Sequence, residues 1–380
     1  MIQRKIWINL IENSWKEKNI LWLTGVRRVG KTFLCKTLPD ILYFDCELPR
    51  IRQQLADTEI FLENHHNKRL VLDEIHRLMN PSEILKIAAD HFPSTKIIAT
   101  GSSALEASRQ FKDTLTGRKK NILLTPMLFS DLIDFKRKNI VHRLKYGGLP
   151  DFFLEKSFPE KDFQEWIDSF WAKDIQQLFR LQQQYSFQKF VEMIFTQSGQ
   201  QFEASRFAAP CEVSRTTIGN YLSVLENTWI ANVIRPFSSR KSIEITSAPK
   251  VYAFDTGFVS YFKGWQIFRE DDYGLLWEHL VLNELQGRQD IYKINYWRDK
   301  RAHEIDFIIT KPGFPPLTIE CKWKDNHFNP KNLISFRKNY PNGNNYVVAC
   351  NVKEPYIRKI SGLKINFINL QSIANYTFFN

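Results

Sequence analysis

The sequence predicts an α/β protein of three parts: a parallel-sheet core, a helical middle and a second α/β unit at the C-terminus. Three observations carry this. A strand–loop–helix pattern with a glycine-bracketed loop stands at 20–38, a buried-strand run ends in two acids at 70–74, and an alternating, acid-bearing pair of strands stands at 304–323. Between them, Tyr146-Gly147-Gly148-Leu149-Pro150 marks a turn, and aromatic residues then recur at helical spacing to about Thr196. At about 150 residues per domain, a chain of 380 holds two or three domains. The changes of texture divide it into 1–140, 141–270 and 271–380.

Composition excludes several classes. Hydrophobic residues at 43% and charged residues at 25% exclude general disorder. No apolar stretch approaches the roughly 18 residues of a membrane span. The N-terminus, Met1-Ile2-Gln3-Arg4-Lys5, leads into a charged, helix-like segment and not a signal-peptide core, so a cytoplasmic protein with no membrane partner is expected. The cysteines Cys35, Cys46, Cys211, Cys321 and Cys350 are scattered and odd in number, which argues against a disulfide framework or a structural zinc site. Lys+Arg 53 against Asp+Glu 41 leaves +12, a balance that fits a nucleic-acid partner or a lysine-rich solvated surface. The excess lies at the two ends, because 141–270 carries 15 basic and 14 acidic residues.

The core motif comes first. Ile20-Leu21-Trp22-Leu23 has strand length, Gly25-Val26-Arg27-Arg28-Val29-Gly30-Lys31-Thr32 follows directly, and Phe33 to Leu38 can open a helix. This is G-x-x-x-x-G-K-[ST] in the setting a phosphate-binding loop requires. The loop N–H groups and helix N-terminus supply positive potential, Lys31 reaches the β/γ-phosphates, and the Thr32 hydroxyl ligates Mg²⁺. The strand Leu70-Val71-Leu72 ends in Asp73, placed to hold Mg²⁺ largely through water, and Glu74, placed to orient and deprotonate the attacking water. A third strand, Lys96–Thr100, is followed by Gly101-Ser102-Ser103, where Ser102 or Ser103 can sense the γ-phosphate. Arg118 is a candidate to reach phosphate in cis or in a neighbour's site; beside Lys119 and Lys120 it reads equally as a solvated surface arginine. The guanine-reading N-K-x-D pattern is not matched, since Asn67-Lys68-Arg69-Leu70 lacks the Asp. ATP and Mg²⁺ are the expected cofactors.

In the middle, residues 200–236 read as three helices and a strand, with Ser214 as N-cap of a helix beginning Arg215-Thr216-Thr217 and Trp229 to Arg235 as a wing strand. This resembles a winged helix-turn-helix, serving either a DNA groove or domain packing. Arg215, Arg235, Arg240 and Lys241 are the candidate nucleic-acid contacts.

At the C-terminus, His303 to Ile309 alternates polar and apolar, a Pro/Gly turn follows, and Leu317 to Trp323 returns. Alternation puts Glu320 and Lys322 on one strand face, with Asp306 alongside in a hairpin. An Asp followed by Glu-x-Lys is the core of the PD-(D/E)xK nuclease arrangement, in which two carboxylates hold Mg²⁺ and the Lys positions water or stabilises negative charge. Glu278 on an upstream helix suits the third metal-ligand position better than Glu284. The alternative is a strand pair with salt-bridged surface charge.

These motifs, with Thr100-Gly101-Ser102-Ser103, Leu115-Thr116-Gly117-Arg118, Gly147-Gly148-Leu149-Pro150, Lys173-Asp174-Ile175, Lys250 to Gly257 and Trp277-Glu278, resemble a bacterial and archaeal family of AAA-type ATPases over nearly the whole chain. Its members join a P-loop core to a C-terminal nuclease-like domain of unknown function. His279 stands where the family pattern usually has Asn. The resemblance implies a P-loop AAA-type parallel-sheet core, a helical lid with a winged-helix module, a nuclease-like C-terminal α/β domain, and ATP binding with hydrolysis. Two functions follow as expectations. Either nucleotide state controls DNA binding or cleavage, with Arg118 or Arg27 reaching a neighbour's phosphate in a homo-oligomer. Or the chain is a signalling or scaffolding ATPase whose silent C-terminal domain binds protein.

Overall fold

Five strands, β1 (Ile20–Thr24), β2 (Ile41–Asp45), β3 (Arg69–Asp73), β4 (Lys96–Thr100) and β5 (Lys119–Leu123), form one parallel sheet in the order β2-β3-β4-β1-β5. The computed structural model describes residues 2–101, 115–175, 183–240, 244–245, 247–288 and 293–375. β1, β3 and β4 are buried along nearly their whole length, which is why they read as continuous apolar runs. Their side chains still alternate. Leu21, Leu23, Val71 and Ile98 face the helix Lys5–Glu17 and its Trp7, Ile11 and Trp15, while Ile20, Trp22, Leu70 and Leu72 pack against Phe61, Leu62, Ile84 and Leu85. β4 lies between β1 and β3, so all three strand ends meet on one edge.

The middle of the chain is helical, and its aromatics are core. Trp166 stacks on Phe170 and Phe254, and Phe163 packs on Phe152, Phe258 and Tyr261. Helices Gln184–Thr196, Ala204–Ala208 and Arg215–Asn227 alternate with β6 (Gln200–Gln201), β7 (Ala231–Ile234) and β8 (Lys250–Ala253), an antiparallel sheet ordered β6-β8-β7. Two glycine motifs distant in sequence meet here. Asp255 Oδ2 accepts from Gly148 N at 2.6 Å and lies 3.4 Å from Arg143 Nη1, with both side chains 1% exposed. A Cβ on Gly257 would fall 2.6 Å from Tyr146 O, so no larger residue fits that approach without moving backbone.

The C-terminal unit is a mixed six-stranded sheet, β13-β14-β12-β11-β10-β9, flanked by helices Glu270–Gly287 and Lys331–Asn339. Its strands are β9 (Lys293–Arg298), β10 (Glu304–Thr310), β11 (Leu317–Lys322), β12 (Asn345–Ala349), β13 (Tyr356–Ile360) and β14 (Leu363–Ile368). β10 and β11 pair antiparallel across the Pro/Gly turn, with Phe307 opposite Ile319. The middle sheet abuts this one: Tyr296 N donates to Arg235 O and Phe237 N to Tyr296 O. All five cysteines are free, four of them buried. Among the described residues no helix is long and apolar enough to cross a membrane.

Candidate functional site

The loop Gly25–Gly30 turns from β1 into the helix Lys31–Lys36. Gly25 has φ +141°, and a Cβ there would lie 2.3 Å from Leu124 O, so the backbone of the neighbouring strand's end dictates glycine. Lys31 Nζ donates to Gly25 O at 2.7 Å and Val26 O at 3.2 Å, folded over the loop it serves. Thr32 Oγ1 donates to Asp73 Oδ2 at 2.8 Å. Asp73 is 4% exposed and also accepts from Tyr43 OH and Thr100 Oγ1. Glu74 N donates to that same Thr100 Oγ1 at 3.0 Å. A hydroxyl and a carboxylate oxygen thus stand side by side at the strand ends, the hard oxygen donor set that suits Mg²⁺.

Glu74 sits in the left-handed region at φ 53°, a conformation that costs a non-glycine residue about 1 kcal/mol or more. His76 Nδ1 lies 3.2 Å from Glu74 Oε2. Hydrogen bonding to His76 holds the Glu74 carboxyl below its usual range against the opposing effect of burial, so it is ionised at neutral pH. A cleft of about 1110 Å³ runs over the loop, lined by Arg27, Lys31, Thr32 and Glu74 from the core and by Phe170 and Ile230 from the middle region.

The loop is braced from behind and from the side. Arg4 Nη1 donates to Val29 O at 3.0 Å, while its Nε and Nη2 grip both oxygens of Asp131 at 3.0 and 2.7 Å. Arg4 is 2% exposed and Asp131 0%, so removing either strands a buried charge, at a cost of about 3–5 kcal/mol. Trp229 Nε1 donates to Thr24 Oγ1 at 2.9 Å, and Trp166 Nε1 to Arg27 O at 3.1 Å. Sequence reasoning missed Arg4, Tyr43, Thr100 and Trp229. Only Thr100 carried a signal, as the polar end of the strand between the other two. Ser102 and Ser103 lie outside the described residues.

Arg118 does not line the cleft. It precedes β5, which runs parallel to β1, and Lys119 is level with Ile20 at the strand start. The phosphate loop is five residues further along, about 16 Å at strand rise. Arg118 Nε instead donates to Asp90 Oδ1 at 2.8 Å.

The C-terminal acids do converge. Asp306 Oδ2 accepts from Cys321 N at 2.7 Å and lies 3.4 Å from Lys322 Nζ, which lies 2.9 Å from Glu320 Oε2. Glu278 approaches from the helix Glu270–Gly287, where its Oε1 accepts from Lys250 Nζ at 3.2 Å and from Tyr252 OH. Lys250 Nζ also lies 2.6 Å from Glu304 Oε1. Burial, and next Asp306, push the Glu320 carboxyl up to about 8. Burial also raises Asp306, but Lys322 and Lys250 outweigh it and hold that carboxyl low. Among the described residues, no three His, Cys, Asp or Glu side chains are grouped to hold a metal ion. Lys250 and Tyr252 share a strand face by alternation; nothing local announced their partners. His279 faces elsewhere, its ring bonding Ser198 Oγ at 2.6 Å and Leu275 O at 2.8 Å.

Of the candidate nucleic-acid contacts, Arg215, Arg235 and Arg240 are exposed and Lys241 lies outside the described residues. A second cleft, of about 630 Å³, is lined by Lys300, Arg301, Lys331 and Lys338.

Residues 17–133 match the family model of an AAA domain. They have the fold and the motifs of an AAA-type P-loop ATPase. Residues 137–267 and 273–371 match two domains of unknown function, DUF8612 and DUF4143. An uncharacterised protein of Mycobacterium tuberculosis is 24% identical over 328 residues, covering 83% of this chain and 73% of its own. An uncharacterised protein of Methanocaldococcus jannaschii is 23% identical over 344 residues, covering 81% and 75%. Among solved structures, the Walker-type ATPase of Pyrococcus abyssi superposes with a TM-score of 0.44 at 14% identity, covering 69% of this chain and 96% of that one. The Bacillus subtilis DNA clamp loader delta protein gives 0.27 at 12%, covering 73% and 99%.

Proposed function

We propose that the chain is a Mg²⁺-dependent ATPase whose nucleotide state governs how its middle and C-terminal modules engage DNA. The observation that carries the ATPase reading is the contact of Thr32 with Asp73 beside an ionised Glu74 at the mouth of the cleft. Loop N–H groups from Val26 to Phe33 cradle the phosphates, and Lys31 exchanges its loop carbonyls for phosphate oxygens. Thr32 and Asp73 would hold Mg²⁺, which when bound would supply positive charge beside the phosphate oxygens. Glu74 orients a water and takes its proton. Thr100 fixes Asp73 and the Glu74 backbone in register. Phe170 and Ile230 of the middle region line the same cleft, so a nucleotide filling it would touch the middle module.

The element order helix, β6, helix, helix, β7, β8 supports a winged-helix module. The helix Arg215–Asn227 buries Ile218, Tyr221 and Leu225 and leaves Arg215, Thr216, Asn220 and Ser223 exposed, as a groove-entering helix requires. Arg118, remote from its own cleft, serves phosphate only in a neighbouring copy. The scaffolding alternative draws on a different observation: two lysines already neutralise the C-terminal acids.

ATP hydrolysis with and without duplex DNA tests both. Glu74→Gln is expected to lower kcat roughly 10²–10³-fold with ATP binding retained, and Lys31→Ala to lose binding. An unchanged rate in Glu74→Gln would remove that residue from the chemistry. A wild-type rate indifferent to DNA at moderate salt would favour a protein partner.

A further inference from the structure

We infer that Lys250 is a built-in cation that occupies the C-terminal acidic cluster and keeps divalent metal out. Four carboxylates gather there, Glu278, Glu304, Asp306 and Glu320, from one helix and two strands. The lysine comes from elsewhere: it is on β8 of the middle sheet and crosses to them. Its side chain is 6% exposed, with Nζ 3.2 Å from Glu278 Oε1 and 2.6 Å from Glu304 Oε1. Lys322 takes the other two, and Arg298 Nη1 lies 3.1 Å from Glu304 Oε2.

An ammonium and a divalent ion compete for the same oxygens. Mg²⁺ needs carboxylate oxygens at about 2.0–2.1 Å in near-octahedral geometry. Placed between Glu278 and Asp306 it would stand within a few ångströms of the Lys250 ammonium, a like-charge contact in a half-buried site. Either the lysine withdraws or the metal stays out. The cluster nevertheless has unspent acceptor capacity: Glu320 is 3% exposed, and its Oε1 has no hydrogen-bond partner among the described residues. As they stand, Glu278, Asp306 and Glu320 are not grouped to hold a metal, so with Lys250 gone a site forms only if they draw together around the ion and Glu320 gives up its proton. The acids that resemble a nuclease centre are therefore stoppered by the neighbouring module.

The inference concerns the C-terminal cluster alone and is tested without nucleotide, so it and the ATPase reading fail separately. Mn²⁺ is titrated by calorimetry into the full chain and into Lys250→Met, each with and without Asp306→Asn. Binding at the Thr32–Asp73 end is common to all four and cancels in the comparison. The wild type is expected to show no Mn²⁺ binding that depends on Asp306. Lys250→Met is expected to gain one site, at least tenfold tighter than any wild-type signal there and abolished by Asp306→Asn, while Lys250→Arg still excludes metal. Asp306-dependent Mn²⁺ binding in the wild type would overturn the inference, as would a folded Lys250→Met that gains no site. If the methionine variant does not fold, Lys250→Gln, which also removes the charge, takes its place in the same four titrations.

Discussion

Glu284 and His279 lie on the same helix, are both buried, and pull stability in opposite directions with pH. Burial raises the Glu284 carboxyl to about 8, Asp131 adds to this, and the N–H of Phe129, which it accepts, opposes it. The folded chain therefore keeps a proton that the unfolded chain releases near its ordinary value of 4.5. Stability is full below that value and falls as pH rises toward 8. His279 is the converse: burial lowers it to about 4, so the unfolded chain takes a proton first and stability falls as pH drops from 6.5 toward 4. Glu284→Gln keeps an acceptor for Phe129 and removes only the alkaline slope. Thermal melts from pH 5 to 8.5 should show the variant more stable than wild type by about 2 °C or more at pH 8.5 and equal to it at pH 5. A parallel pair of curves would mean that Glu284 ionises freely in the folded state.

At the scale of elements, β7 and β8 are the strands that touch both sites. Ile230, just before β7, lines the nucleotide cleft, and Trp229 beside it donates to Thr24 from a left-handed backbone at φ 63°. β7 pairs with β8 from Ala231 opposite Ala253 to Ile234 opposite Lys250, and Lys250 ends among the acids. Trp229→Phe removes one hydrogen bond, worth about 0.5–1.5 kcal/mol net, and keeps an aromatic side chain, though a smaller one. Hydrogen exchange in β7 and β8 is expected to change with ATP in the wild type and to stay constant in this variant, with hydrolysis reduced less than about threefold. Equal ATP responses in both would deny the contact a coupling role. Such links explain what the sequence left hidden. The phosphate loop, the acidic strand end and the Asp306–Glu320 hairpin were legible because their residues are neighbours along the chain or follow strand alternation. Trp229 and Thr24 are 205 positions apart, and Arg4 and Asp131 are 127 apart, so no spacing announces either pair. Spacing is equally silent on Arg118: a basic residue near the motif says nothing about which end of a parallel strand it occupies.

Across the whole molecule, the surplus of +12 counts only where it is unpaired and concave. Many basic side chains are already committed: Arg4 and Arg143 to buried carboxylates, Lys250 to the half-buried Glu278 and Glu304, Lys322 to Glu320, Arg69 to Glu12. The cleft formed by Lys300, Arg301, Lys331 and Lys338 differs, because all four are exposed and none forms an ion pair among the described residues. Asp299 within it pairs with none of them, being hydrogen-bonded to His303 Nδ1 at 2.7 Å and Ser335 Oγ at 3.2 Å, so its charge offsets one of the four and leaves the cleft basic. If phosphates enter here, each lost contact lowers the slope of log affinity against log salt by about 1. Lys300→Ala with Arg301→Ala should then weaken DNA binding uniformly across sequences and reduce that slope by about 2. Arg215→Ala with Arg240→Ala tests the helix Arg215–Asn227 together with the β7–β8 connection in the same titration. A groove-reading helix predicts sequence-dependent loss from the second pair, whereas a module used for packing predicts none. Slopes unchanged in both double variants would take DNA from this surface and leave the unpaired lysines to an acidic protein partner.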